Sequence, residues 1–177
     1  NKIVYPNIFN GNITAIYEHQ MTGTKSNYII NSPDFRNNIP ADAFYLAFSE
    51  SVFLPDENWY HIHDYDKNNN KITIYNAQNV EMGSFTQPII YDKKGLKNSK
   101  TVNYKVSRKG KELIINILVP VEWINDSSNT FPLTIDPAFN AGTGTNWTGT
   151  VYKNSDGDRG CKSSDYIRMG FEDVTWP

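Results

Sequence analysis

Leu113-Ile114-Ile115-Asn116-Ile117-Leu118-Val119-Pro120-Val121-Glu122-Trp123 is followed, after a polar stretch, by Phe131-Pro132-Leu133-Thr134-Ile135-Asp136-Pro137. These two segments decide the fold. In the first, every second residue is apolar: Leu113, Ile115, Ile117, Val119, Val121 and Trp123. Period-two alternation predicts a β-strand with one buried face. The other face is mixed. Asn125 to Asn129 is a polar turn cluster that leads into a second short strand, with Phe131, Leu133 and Ile135 on one face. Asp136-Pro137 is expected to stop that strand, because proline has no N–H for the ladder and holds its predecessor extended. The Asp136 carboxylate is expected to accept downstream backbone N–H groups in an Asx-type turn.

Working outward, similar signals recur along the chain. Lys109-Gly110 turns a hairpin between Val102, Tyr104 and Val106 and the strand from Leu113. Ile13 to Tyr17 and Ser26 to Ile30 form a hairpin around Thr22-Gly23-Thr24. Trp59 to Tyr65 and Ile72 to Tyr75 form another around an Asp/Asn tip. Phe44, Leu46 and Phe48 share a strand face, and Val52 to Leu54 is a separate apolar piece. Val80 to Phe85 and Gln87 to Tyr91 are weaker strands, followed by the turn Asp92-Lys93-Lys94-Gly95. Ile3 to Tyr5 is an edge strand, since Pro6 suits an edge. Residues 31–41 are a break and a loop. The expected fold is all-β: an antiparallel β-sandwich or an extended twisted sheet of about ten strands. Residues 1–137 form a β-rich module. Residues 138–177 are Gly/Thr/Asn-rich at their start and read as a linker, then as a flap on the first domain or the opening strands of a following β-module.

The totals agree. Aromatics make up 14% of the 177 residues, with 11 Tyr, a composition that suits strands. Net charge is -2 and no basic stripe is visible, so no nucleic-acid partner is expected. The single cysteine, Cys161, cannot form an intramolecular disulfide. No apolar run is long enough to span a bilayer. The chain opens on Asn1 without an initiator Met, which reads as a processed or excised piece.

Phe131-Pro132-Leu133-Thr134-Ile135-Asp136-Pro137, with Trp123-Ile124 before it, resembles a Tyr-Pro-Val-Thr-Ile-Asp-Pro signature. That signature closes a β-rich N-terminal domain in large secreted and wall-associated bacterial surface proteins. Val4-Tyr5-Pro6-Asn7-Ile8-Phe9 is similar to the family's opening segment. Thr22-Gly23-Thr24-Lys25 is similar to its Gly-x-Lys turn, and Pro88 to Gly95 to its Pro-x-x-x-Asp-x-x-Gly turn. Tyr166 to Gly170 resembles the start of a following module in proteins of Bacteroidetes type. Thr14 stands where the pattern has an Asp, which weakens any functional carboxylate there. The resemblance implies a non-catalytic structural or interaction module at the cell surface or secreted. Its partners would be neighbouring β-modules of the same polypeptide and a surface glycan or protein. The alternative is a carbohydrate- or ligand-binding module attached to a secreted enzyme.

Chemistry-bearing clusters are sparse. His61 and His63 would project from one strand face, but zinc needs a third ligand and His19 is the only other histidine. Asp64 to Asn68, and Asn154-Ser155-Asp156-Gly157-Asp158, carry oxygens at alternate positions, as calcium loops do. The second is the calcium candidate, with Asn154, Asp156 and Asp158 as ligands and Asp165 at the last loop position. Both lack the loop glycine: Asn69 and Arg159 stand there. No other cofactor and no catalytic residue is expected. Trp59, Tyr60, Tyr65, Trp147 and Tyr152 would make a sugar-stacking platform only if several share an exposed face.

Overall fold

The computed structural model describes residues 2–9, 11–20, 23–66, 69–141 and a short strand at 168–170. The fold is all-β and antiparallel. Its strands are β1 (Lys2–Ile8), β2 (Ile13–Gln20), β3 (Gly23–Ile30), β4 (Tyr45–Phe53), β5 (Tyr60–Asp66), β6 (Asn69–Tyr75) and β7 (Glu81–Phe85). They continue as β8 (Ile89–Asp92), β9 (Gly95–Thr101), β10 (Asn103–Lys109), β11 (Glu112–Pro120), β12 (Leu133–Asp136), β13 (Ala138–Ala141) and β14 (Arg168–Gly170). One larger sheet has the order β5-β6-β7-β13-β3-β12-β8-β9, with β2 and then β1 on the other edge of β3; the smaller runs β10-β11-β4-β14.

The alternation from Leu113 builds the centre of the smaller sheet. Leu113, Ile115, Ile117 and Val119 are all essentially inaccessible and pair with Val52, Glu50, Phe48 and Leu46 of β4. Each such aliphatic side chain removed from water stabilises the fold by about 1.5–3 kcal/mol, before entropy is charged against it. The strand ends at Pro120, earlier than the pattern predicts. Val121 and Trp123 belong to a one-turn helix, α1 (Val121–Asn125), in which Val121 and Ile124 face the core. Residues one helical turn apart share a face, so Val121 stays buried in either conformation. Arg36 closes the end of α1: its Nε donates to the Ile124 carbonyl and an Nη to the Asp126 carbonyl, both at 2.8 Å. These carbonyls lie where a helix terminus leaves acceptors free. Arg36 comes from a 3-10 helix at Pro33–Asn38, within the segment expected to be loop, which Ser32 caps.

Strand β12 ends at Asp136, as expected, but the chain stays extended past Pro137 and resumes as β13 at Ala138. Leu133, Ile135, Pro137 and Phe139 are buried in alternation straight through the proline. On β3 the register is continuous, with Ile135 opposite Tyr28 and Ala138 opposite Lys25. On the other edge, β12 pairs with β8 and β13 with β7. Asp136 opposes Ile89 and Phe139 opposes Phe85, so the facing chain carries one extra residue across the junction. A bulge is a place where a sheet tolerates proline. Residues 138–141, read as the start of a linker, are therefore strand in the middle of the larger sheet. The Asp136 carboxylate meets Lys25 Nζ at 2.7 Å instead of closing an Asx turn.

Other expectations shift in detail. The two apolar pieces around residues 44–54 form one nine-residue strand, β4. Phe44 lies outside it and is 82% exposed. Strand β9, polar except for an exposed Leu96, gave no alternating apolar signal. With it, twelve strands precede Pro137 among the described residues. The inner faces of the two sheets meet in a single core, with Tyr28 packed on Phe48 and Phe85 on Tyr104. The chain passes from the larger sheet to the smaller at Val102, between β9 and β10. Strand β14 pairs with Ser51–Phe53 at the end of β4.

Candidate functional site

His61 and His63 both lie half-buried on β5, as the spacing predicts. The structure assigns His63 a different partner from a metal. Its Nε2 sits 3.1 Å from Asn70 Oδ1, and that oxygen also accepts the Tyr104 backbone N–H at 3.0 Å. The second bond fixes the amide orientation, so the histidine nitrogen is the donor and carries hydrogen. Burial, then the positive Arg108, then His63 hold the His61 pKa below its ordinary value. Arg108 itself donates to the carbonyls of Trp59, Glu57 and Gly110, tying the β10–β11 hairpin to the segment before β5. Among the described residues no three His, Cys, Asp or Glu side chains stand where they would hold a metal ion.

Of the stretch from Asp64, residues 64–66 end β5 and pair with the start of β6, with Asp66 opposite Asn69, while Lys67 and Asn68 lie outside the described residues. A paired strand is extended and is not curled as a calcium loop is. Asn154, Asp156, Asp158 and Asp165 lie outside the described residues, as do Trp147 and Tyr152.

The aromatic platform does not assemble from the residues expected. Trp59 is buried, and Tyr60 stacks on its cross-strand neighbour Tyr75 at a centroid distance of 5.2 Å. Tyr65 is exposed, but its position on the strand puts it on the face opposite Tyr60.

A different pair of aromatics is exposed. Phe44 and Tyr45, 82% and 56% accessible, stand at the entrance to β4 beside a hollow of about 450 Å³. Its floor is the outer face of the smaller sheet, where Leu118 is opposite Asn103 and Pro120 opposite Tyr45. One rim carries Lys100, from the end of β9, in an ion pair with Glu122 of α1 at 2.8 Å. The site thus forms where the chain crosses between sheets. Two consecutive aromatics at a strand start are a legible signal, because alternation can bury only one of them.

Among the described residues, Glu50 and Asp92 carry carboxyl groups into the interior. Glu50, 4% exposed, stands on the inner row of β4 between Phe48 and Val52. Its Oε1 accepts from Ser26 Oγ and Tyr28 Oη, both at 2.6 Å, across the gap between the sheets. Oε2 has no hydrogen-bond partner among the described residues. Burial raises the Glu50 pKa, and the two hydroxyls offset only part of that. Tyr17 and Tyr28 are raised too, by burial and then by the Glu50 charge.

Asp92 is the second. Its Oδ1 accepts the Lys94 backbone N–H, and its Oδ2 accepts from the Thr130 backbone and from Asn98 Nδ2. Burial works to raise its pKa, but these three bonds and the Lys94 charge outweigh burial and lower it. Asn129 extends the cluster, accepting from Asn98 and donating to the Trp123 carbonyl. Asp92 thereby fastens the β8–β9 turn to the loop ahead of β12. Gly95, at φ +72°, completes that turn, which explains the Asp-x-x-Gly spacing.

Neither buried carboxyl opens onto the hollow. Among the described residues no helix is long and apolar enough to cross a membrane. Comparison with family models, curated proteins and solved structures finds no match to this chain.

Proposed function

We propose that this chain is a non-catalytic structural and interaction module of a secreted or cell-surface bacterial protein. The observation that carries the reading is the use of its interior polar groups as cross-links. Glu50 bridges two sheets through Ser26 and Tyr28, and Asp92 joins two loops through Thr130, Lys94 and Asn98. Both are closed off by packing, whereas a reacting group needs access to substrate. The residues that resemble the surface-protein signature also have mechanical uses: Lys25 pairs with Asp136, and Asp92 and Gly95 shape a turn. The partners proposed are neighbouring β-modules of the same polypeptide.

The test has two parts. Purified protein is incubated with glycan and peptide libraries, where no turnover is expected and catalytic turnover contradicts the reading. An antibody to the chain is then applied to intact and to permeabilised cells of the producing bacterium. Equal labelling, or recovery from the medium, is expected; labelling only after permeabilisation contradicts the setting.

One observation favours a second reading, a carbohydrate- or ligand-binding module: the exposed Phe44 and Tyr45 beside a hollow with a paired cation and anion on its rim. Large exposed aromatics rimmed by polar groups mark interaction sites.

A further inference from the structure

We infer that the hollow beside Phe44 and Tyr45 binds a neutral saccharide, one or two sugar rings long. The inference rests on the second reading above and adds to it a site and a ligand class. Four features carry it.

The first is size. A hollow of about 450 Å³ falls within the ~300–1,000 Å³ usual for small-ligand clefts.

The second is apolar surface. Phe44 is held outside the strand, its own carbonyl accepting the Val121 N–H at 3.0 Å, so the backbone under the exposed ring is anchored by the start of α1. Tyr45 is held by pairing with Pro120. Rings on an anchored backbone offer flat apolar faces at small entropic cost, which suits the C–H face of a sugar ring.

The third is polar chemistry. Lys100 Nζ donates, Glu122 accepts, and the Asn103 side chain does both. Vicinal hydroxyls, each a donor and an acceptor, match that set, and bonds to charged partners are the stronger kind.

The fourth is charge. Among the described residues, the charged side chains lining the hollow are Lys100 and Glu122, and they compensate each other at 2.8 Å. An anionic ligand would meet the Glu122 carboxylate and a cationic one the Lys100 ammonium, so the site favours a ligand without charge.

The test is two-dimensional 1H–15N NMR of the full chain, titrated with maltose, cellobiose, lactose and N,N′-diacetylchitobiose, and with a uronic-acid disaccharide as the charged control. At least one neutral disaccharide is expected to shift the amides of residues 43–45, 100–103 and 118–122 with a roughly millimolar Kd. Phe44→Ala, a change at an exposed ring, is expected to keep the dispersed spectrum and weaken binding about tenfold or more. Phe44→Trp is expected to retain it.

Shifts confined to other regions would overturn the site while leaving a ligand-binding module standing. Binding of the charged control alone would overturn the ligand class. No shift with any sugar would overturn both the inference and the reading beneath it, and leave the structural-module reading intact.

Discussion

Lys25 Nζ and Asp136 Oδ2 stand 2.7 Å apart on adjoining strands of the larger sheet. The contact joins two motifs that lie far apart in the sequence, the Gly-x-Lys turn and the Ile-Asp-Pro segment. It forms because β12 and β13 run in one register along β3, carrying the chain past Pro137. Asp136 is the less exposed partner, at 13% against 32% for Lys25. Asp136→Asn is expected to destabilise the fold by about 0.5–1 kcal/mol, with a smaller effect in high salt. Urea unfolding of the single and double variants measures the coupling; additive single effects would mean that the pair contributes nothing.

Glu50 gives the stability a defined pH dependence. Its folded pKa is raised above the unfolded value, first by burial. Its contribution is therefore fully present below the unfolded pKa of about 4.3 and is lost as pH rises through the folded pKa. Glu50→Gln keeps an acceptor for Ser26 and Tyr28 but cannot ionise. The difference in stability between the variant and the wild type should grow in favour of the variant across that window. Glu50→Ala removes the carboxylate acceptor of the Ser26 and Tyr28 hydroxyls and should cost about 1–3 kcal/mol. Denaturant unfolding at a series of pH values checks both; a difference that does not change with pH would refute the assignment.

Asp92 has the opposite sign. Burial pushes its pKa up, but bonds from Thr130, Asn98 and Lys94 win, so the folded value is depressed. Its contribution is present above the unfolded pKa of about 3.9 and is lost as pH falls through the folded one. Asp92→Ala leaves three donors without their acceptor and should cost about 2–4 kcal/mol. Hydrogen exchange in the variant should quicken first at residues 93–98 and 126–131. A uniform change along the chain would show that the carboxylate does not fasten these loops.

Gly83 is needed for lack of a side chain. A Cβ there would meet the Phe139 ring and the Asn140 carbonyl across the β7–β13 pairing. Gly83→Ala must push β13 away and should cost about 1–3 kcal/mol. Phe139→Leu in the same chain makes room and should recover part of the loss; thermal unfolding of the three variants decides it.

Much of the fold was legible because alternation is a local signal. Leu113 to Val119 needed only its own residues to declare a buried strand face, and so did the 13–30 and 60–75 hairpins. What was not legible depends on partners distant in sequence. Pro137 reads as a stop because proline lacks an N–H, yet the extra residue that accommodates it lies in residues 86–88, between β7 and β8 and far away in sequence. The clue was Phe139, which keeps the alternation going. Glu50 was hidden because the strand was divided around Ser49 to Ser51; joined, its parity puts the carboxylate inside. Strand β9 is polar because it is an edge, paired on one side only. At the candidate site the sequence supplied the right residue class and the wrong members. Trp59 went into the core, and Phe44, read as sharing a strand face with Leu46 and Phe48, stands in solvent.

Glu50, Tyr28, Phe48 and the extended chain of β12 and β13 bind two sheets into one body. Native-state amide hydrogen exchange under increasing denaturant tests this most directly. Protected amides of β3 and β13 and those of β4 and β11 are expected to open together, with one free energy and one denaturant dependence. Opening of the smaller sheet while the larger stays protected, or exchange of residues 138–141 as a free linker, would show that the two sheets are not one cooperative body.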